Sequence, residues 1–382
     1  MSAFVWLSAL LSALYFSYGV YVPFWGLWLA SRDVTPEQIG LLMGLGMVVR
    51  LAGNFLILGR VTSLSRLLPL CRYLALLSLL CFCAFYWSRG FIPLLLVMLL
   101  ANFVYPTLLP LSDVLASNMV RQINLDYGKV RLWGSAAFIA GSTLVGFISQ
   151  QQGIDSALYI MLCGLIGLLL ITTIPMRPAP VASSEGTKTV RYRDLLRRAG
   201  FRRLLLVASL LQGSHAAYYG FSAIYWSSQG YGKGLIGGLW ALGVFAEILM
   251  FAASRRFLGR FNPRTLLVVG AIGCLVRWSV LGSTVALPLV IAAQLLHAIT
   301  FCITHLAAVR FMTHSLRQGE LIAAQTLYSA LSGGVIMALL TTLVGHLYPQ
   351  WGSGVFWLMA LLGIPALLIR LPADHSREQE AS

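Results

Sequence analysis

The feature that most constrains this chain is a succession of apolar runs, each about twenty residues long, divided by short polar breaks. Twenty apolar residues wound as a helix match the roughly 30 Å hydrocarbon layer of a bilayer, where every backbone group must be bonded inside the chain. Twelve runs can be placed, at 4–30, 37–59, 68–88, 91–117, 128–150 and 157–175, then at 203–228, 235–254, 265–284, 288–311, 320–346 and 354–371. With 58% hydrophobic and only 10% charged residues, the chain cannot cover soluble domains with a water-facing surface. The reading is an all-α membrane protein of 12 transmembrane helices, with the lipid bilayer as its constant partner.

The net charge of +15 does not point to nucleic acid, because the basic residues sit in short segments between runs rather than along one face. Their distribution is lopsided in the way that sets topology. If both termini are cytoplasmic, the inner segments carry Arg60, Arg66, Arg72, Arg121, Lys129, Arg131, a cluster from Arg177 to Arg203, Arg255, Arg256, Arg260, Arg264, Arg310, Arg317, Arg370 and Arg377. The outer connections carry Arg32, Arg89 and Lys233. The opening MSAFVWLSALLSALYFSYG has no basic start and is long enough to span, so it reads as a retained first helix rather than a cleaved signal. This predicts a multi-pass membrane protein with both termini in the cytoplasm. The six cysteines form no CxxC pair or metal-type cluster and read as packing residues.

The two sets of six runs resemble each other. YGVYVPFW at 18–25 and YGFSAIYW at 219–226 share Tyr, Gly and Trp at equal spacing. Further on, Ile39, Gly40 and Gly46 match Ile236, Gly237 and Gly243, a register that pairs Arg50 with Glu247. Two pseudo-symmetric six-helix bundles follow, at 1–175 and 203–372, with a basic linker at 176–202 lying on the anionic inner surface and a cytoplasmic tail at 373–382. Pro23, Pro106, Pro110 and Pro365 fall within spans, where each removes an intrahelical bond and permits the bends that rocking needs.

This pattern resembles the major facilitator superfamily of secondary transporters over the whole chain. LDYGKVRLWGS at 125–135, after a span carrying an acid, resembles the oligosaccharide/H+ symporter branch that includes lactose permease. Together with LLQGSHAAYYGFSAIYW at 210–226, it is similar to the 3-phenylpropionate transporters of enteric bacteria. One departure stands out: GRVTSLSR at 59–66 lacks the aspartate usual in the superfamily's loop between helices 2 and 3.

Charges within spans are the main functional signal, since each is expensive in hydrocarbon. The resemblance implies that Asp113, in the fourth span, and Arg131, at the head of the fifth, bind substrate. The planar guanidinium suits a carboxylate, whether that of Asp113 or of a ligand, while the bland alternative makes Arg131 and Lys129 ordinary anchors at a helix end. Arg50, deep in the second span, is placed to pair with Glu247 or Asp113 or to meet an anionic substrate. Tyr18, Trp25, Tyr219 and Trp226 lie at matching places in the repeats, where a phenyl ring would find stacking partners or the rings simply pack.

Glu247, mid-span in the eighth helix, is the first choice for the proton site, against a permanent structural bridge to an arginine. Arg277 and His297 match the arginine and histidine of lactose permease's coupling network. Thr300, however, stands where that network has a carboxylate, so either coupling has moved to Glu247 or Asp113, or it is weaker than the resemblance implies. His215 is a further candidate within a span.

The expected function is therefore proton-coupled import of a small aromatic carboxylate, 3-phenylpropionate being the substrate that the resemblance names, by alternating access in a functional monomer. No cofactor is expected beyond the proton gradient. Symport of a neutral sugar or nucleoside is the rival. An intramembrane enzyme is disfavoured by the lack of HExxH and GxSxG, and a channel by the scarcity of charge rings.

Overall fold

The computed structural model describes residues 1–58, 66–180 and 192–369. Most of the 59–66 loop motif, the middle of the linker and the tail named above lie outside the described residues. The named elements are all helices, and one isolated bridge joins Ser2 to Arg177.

Each apolar run coincides with one helix or with consecutive helical segments. The first half gives α1 (Ala3–Ala30), α2 (Pro36–Leu58), α3 (Leu67–Ala84), α4 (Phe91–Ile123), α5 (Tyr127–Gln152) and α6 (Ser156–Thr173). The short helix Tyr192–Arg197 follows, then α7 in two pieces, Ala199–Gly213 and Ala216–Ser228. The series closes with α8 (Lys233–Phe257), α9 (Pro263–Ser283), α10 (Leu287–Ser315), α11 (Leu321–Trp351) and α12 (Gly354–Leu368). Among the described residues, ten helices are long and apolar enough to cross a bilayer uninterrupted; α7 and α12 are built from shorter pieces.

Local chemistry explains the helix starts and breaks. Thr35 and Gln38 form a reciprocal capping box ahead of α2, with Pro36 in the first turn, where its missing N–H costs nothing. Asn262 caps α9 by accepting from the Thr265 N–H at 2.8 Å, again with a proline next in line. Asp126 caps α5 through the Lys129 N–H at 3.2 Å, a bond that holds its carboxyl below the usual range. In α4 the helix is interrupted between Val104 and Leu108, at Pro106, and the Thr107 hydroxyl takes up the Phe103 carbonyl at 3.1 Å. In α7 the break falls at Ser214 and His215, whose side chains bond back to the carbonyls of Leu211 and Gln212 at 2.7 and 3.0 Å. One turn of α10, Ala298–Ile303, and one of α11, Leu331–Ile336, are wound as π-helix, a local geometry often found at functional sites.

The chain divides into two compact units, Met1–Ser184 with Tyr219–Ala241, and Glu185–Tyr218 with Leu242–Ser382. In the first, α1 is the central helix and packs mainly on α5 and α6. A Cβ on Gly19 would strike the Phe138 carbonyl, and one on Gly141 the Phe16 carbonyl, so reciprocal glycines let the α1 and α5 backbones touch. The Trp6 indole donates to the Ile174 carbonyl at 2.8 Å, tying the start of α1 to the end of α6. At the other end of α1, Arg32 is buried against Asp155 at 2.5 Å and over the Trp28 ring. In the second unit α9 is central, packing on α10 and α12, while the first piece of α7 lies along the π-helical turn of α11.

Candidate functional site

Two polar clusters stand inside the spans, one in each unit. In the first, Arg131 lies one turn into α5 with its guanidinium carbon 4.0 Å from the centre of the Tyr15 ring. Gly134 makes this possible, because a Cβ there would come within 2.9 Å of that ring. The Arg131 Nη1 is buried and has no hydrogen-bond partner among the described residues. Asp113, exposed on α4, accepts a 2.6 Å hydrogen bond from the Tyr127 hydroxyl. That hydroxyl in turn lies within electrostatic reach of Arg131. Among the described residues no ion pair joins Asp113 to Arg131; Tyr127 stands between them. Lys129 points elsewhere, to Asp126 at 3.4 Å.

Arg50, half-buried on α2, is close enough to Tyr18 and Tyr21 for its charge to act on both hydroxyls. Tyr18 stacks on Tyr105 at 5.0 Å, and the Asn102 amide donates to the Tyr21 hydroxyl at 3.1 Å. Trp25 is fully buried, stacked on Trp28 at 4.6 Å and met edge-on by Phe82 and Phe85. Trp226 is likewise buried, while Tyr219 is partly exposed and stacks on Trp240 at 5.9 Å. Of the four repeat-matched aromatics, then, Tyr18 and Tyr219 keep a partly open face and the two tryptophans are packed away.

The second cluster is denser. Arg277, fully buried on α9, donates from Nη1 to His297 Nδ1 at 2.9 Å and to the Thr300 hydroxyl at 3.0 Å, and from Nη2 to the Gln294 carbonyl oxygen at 3.2 Å. Its guanidinium carbon also lies over the rings of Tyr218 and Trp278, at 4.6 and 4.4 Å. Gln294 passes the connection on, its amide donating to the Tyr218 hydroxyl at 2.8 Å. On the other face of His297, Nε2 is 3.7 Å from Glu247 Oε2. His215 sits behind, with Nε2 3.0 Å from the Thr300 hydroxyl.

The structure therefore gathers Glu247, Arg277, His297 and His215 into one network, and Arg131, Tyr127 and Asp113 into another. Sequence reasoning passed over Gln294, which joins two elements, and the role of Thr300 as the junction of three. Spacing offered a signal for both: Gln294 and Thr300 lie three residues either side of His297 and so share its face of α10. Tyr127 was also open to notice, since it lies within the motif that holds Arg131.

The chemistry available here is recognition and charge transfer between side chains. A permanent cation backed by an aromatic ring suits an anion attached to an apolar body. A carboxyl beside an imidazole suits reversible protonation.

Comparison with known proteins identifies the family. The model of the MFS_1 like family matches residues 4–359. The chain is 43% identical to the "Probable 3-phenylpropionic acid transporter" of Escherichia coli (strain K12), over 96% of each chain. It is 25% identical to the "Maltose permease" of Geobacillus stearothermophilus, covering 96% of this chain and 94% of that one. Among solved structures, that of the nucleoside transporter NupG superposes with a TM-score of 0.78 at 16% identity, over 96% of this chain and 98% of the other, a likeness of fold. Twelve apolar runs, the matching family model and a relative alike along nearly its whole length lead to one conclusion: the chain belongs to the MFS_1 like family, and is a multi-pass membrane transporter of the major facilitator fold.

Proposed function

We propose that the protein is a proton-coupled symporter that imports a small aromatic carboxylate, 3-phenylpropionate being the specific candidate. The observation that carries the reading is Arg131: a half-buried guanidinium laid on the Tyr15 ring, with one buried N–H group lacking a hydrogen-bond partner among the described residues. Such a group holds a carboxylate through its planar fork while the neighbouring rings take up the apolar part of the ligand. The name of the Escherichia coli relative supports the same class of solute. Arg50 with Tyr18, and Tyr219 on the repeat-related helix, are further contacts for the anion or its ring; Asp113 holds Tyr127 in place.

Proton coupling falls to the second cluster, where Glu247 faces His297, whose other ring nitrogen meets Arg277. We place the protein in the bacterial inner membrane with both termini in the cytoplasm, on the strength of the Lys and Arg distribution. It works as a monomer without cofactor or covalent chemistry, its energy coming from the proton gradient.

Uptake of labelled 3-phenylpropionate into proteoliposomes is the test. Accumulation should follow an inward proton gradient and collapse with a protonophore. No accumulation at any pH would overturn the reading. Displacement of the label by maltose or a nucleoside, rather than by other aryl carboxylates, would favour the neutral-solute rival.

A further inference from the structure

The hydrogen bonds around His297 have a fixed polarity. The Gln212 carbonyl can only accept, so His215 Nδ1, 3.0 Å away, carries a hydrogen. In its neutral form His215 then offers a lone pair at Nε2, 3.0 Å from the Thr300 hydroxyl, and that oxygen's single hydrogen goes there in preference to the His297 carbonyl at 3.3 Å. Toward Arg277 the Thr300 oxygen therefore accepts. The two hydrogens of Arg277 Nη1 divide between Thr300 at 3.0 Å and His297 Nδ1 at 2.9 Å. A guanidinium nitrogen never accepts, so Nδ1 must present a lone pair and the ring hydrogen of His297 sits on Nε2, toward Glu247 at 3.7 Å.

From this geometry we propose that Thr300 is a positioning residue: it aims Arg277 at His297 Nδ1, fixes the Nε2–H tautomer, and leaves the transported proton to Glu247. The inference rests on the proton-coupled reading above and assigns the proton within it. A second proton cannot enter the ring while Arg277 Nη1 occupies Nδ1, because two donors would face each other. The titratable and charged groups facing His297 are His215 and Tyr218 from α7, Glu247 from α8 and Arg277 from α9. Of these, Glu247 is the one whose carboxylate can take up a proton while the donor–acceptor pairs named above stay in place. A threonine suits the junction because its hydroxyl accepts and donates at once. A carboxylate there would take the guanidinium for itself and hold a proton of its own.

The test uses the full chain labelled with 15N-histidine, with a His297→Asn variant to identify the His297 signals. The expected spectrum has an unprotonated Nδ1 and a protonated Nε2 at neutral pH. In Thr300→Val the junction is lost, the His297 signals become those of mixed tautomers or a cationic ring, and a cationic ring beside Glu247 favours its carboxylate. The pH at which transport is half-maximal then moves down by about one unit. Thr300→Ser, which keeps the hydroxyl, should restore both the spectrum and the profile. A protonated Nδ1 in the unaltered protein would overturn the proposal, as would a Thr300→Val protein that keeps the original tautomer and pH profile. Should Thr300→Val fail to fold, the spectra of the unaltered and Thr300→Ser proteins still decide. The tautomer is measured without transport, so a failure of proton-driven uptake would count against the symport reading alone.

Discussion

At the scale of single residues, Arg131 carries the clearest consequence. Its guanidinium carbon lies 4.0 Å from the centre of the Tyr15 ring, and lysine would keep the charge while losing the planar fork. Arg131→Lys should therefore weaken substrate binding by at least tenfold, about 1.4 kcal/mol, as read by the concentration of 3-phenylpropionate that half-saturates uptake or counterflow. Lys129→Ala should barely change it, since that side chain points to Asp126 in water. Residues of this kind were legible in the sequence because a charge in an apolar run has a cost that demands a reason. Gln294 was passed over and Thr300 was visible only as the place of a missing carboxylate, although both bond to Arg277. Neutral polar side chains are inexpensive between membrane helices, so they stand out only once their partners are known.

At the scale of elements, hydropathy located the spans because the bilayer is a slab of fixed thickness, and it remained blind to what happens within them. The break in α7 at Ser214 and His215 and the π-helical turn after His297 leave mean apolarity unchanged, yet they set where His215 and Thr300 meet. Outside the spans, the chain leading into α7 is pinned to the start of α11. Arg198 donates from both Nη groups to Glu320, at 2.9 and 2.6 Å, and the Arg317 N–H adds a third bond at 3.0 Å. The Arg198 bonds, first, and that backbone bond hold the Glu320 carboxyl below the usual range. A lowered acid stabilises the fold fully above its unfolded value, about 4.3 for glutamate, and that share disappears as pH falls through the lower folded value. Thermal unfolding in detergent should show Glu320→Gln less stable at pH 7, within the ~1 kcal/mol typical of an exposed pair. The difference should be gone near pH 3. An equal deficit at both pH values would mean that packing, not charge, is lost.

At the scale of the whole molecule, the internal repeat placed Glu247 opposite Arg50 in register, and the structure shows what each half made of that position. In the first unit it is a cation among tyrosines; in the second it is an acid against an imidazole. If Glu247 carries the proton as proposed, replacing the acid should separate coupling from translocation. Glu247→Gln should abolish accumulation driven by a pH gradient while leaving exchange of labelled for unlabelled substrate largely intact. Loss of both would identify Glu247 with His297 as a structural bridge. The same network contains its own optical probe. Trp278 lies beneath the Arg277 guanidinium, donates its indole N–H to Ser214 at 2.9 Å, and is fully buried against Phe356. Any step that draws Arg277 away changes the electric field across that indole, so the arginine's departure is written into the protein's own ultraviolet fluorescence and can be timed by stopped flow without attaching a dye.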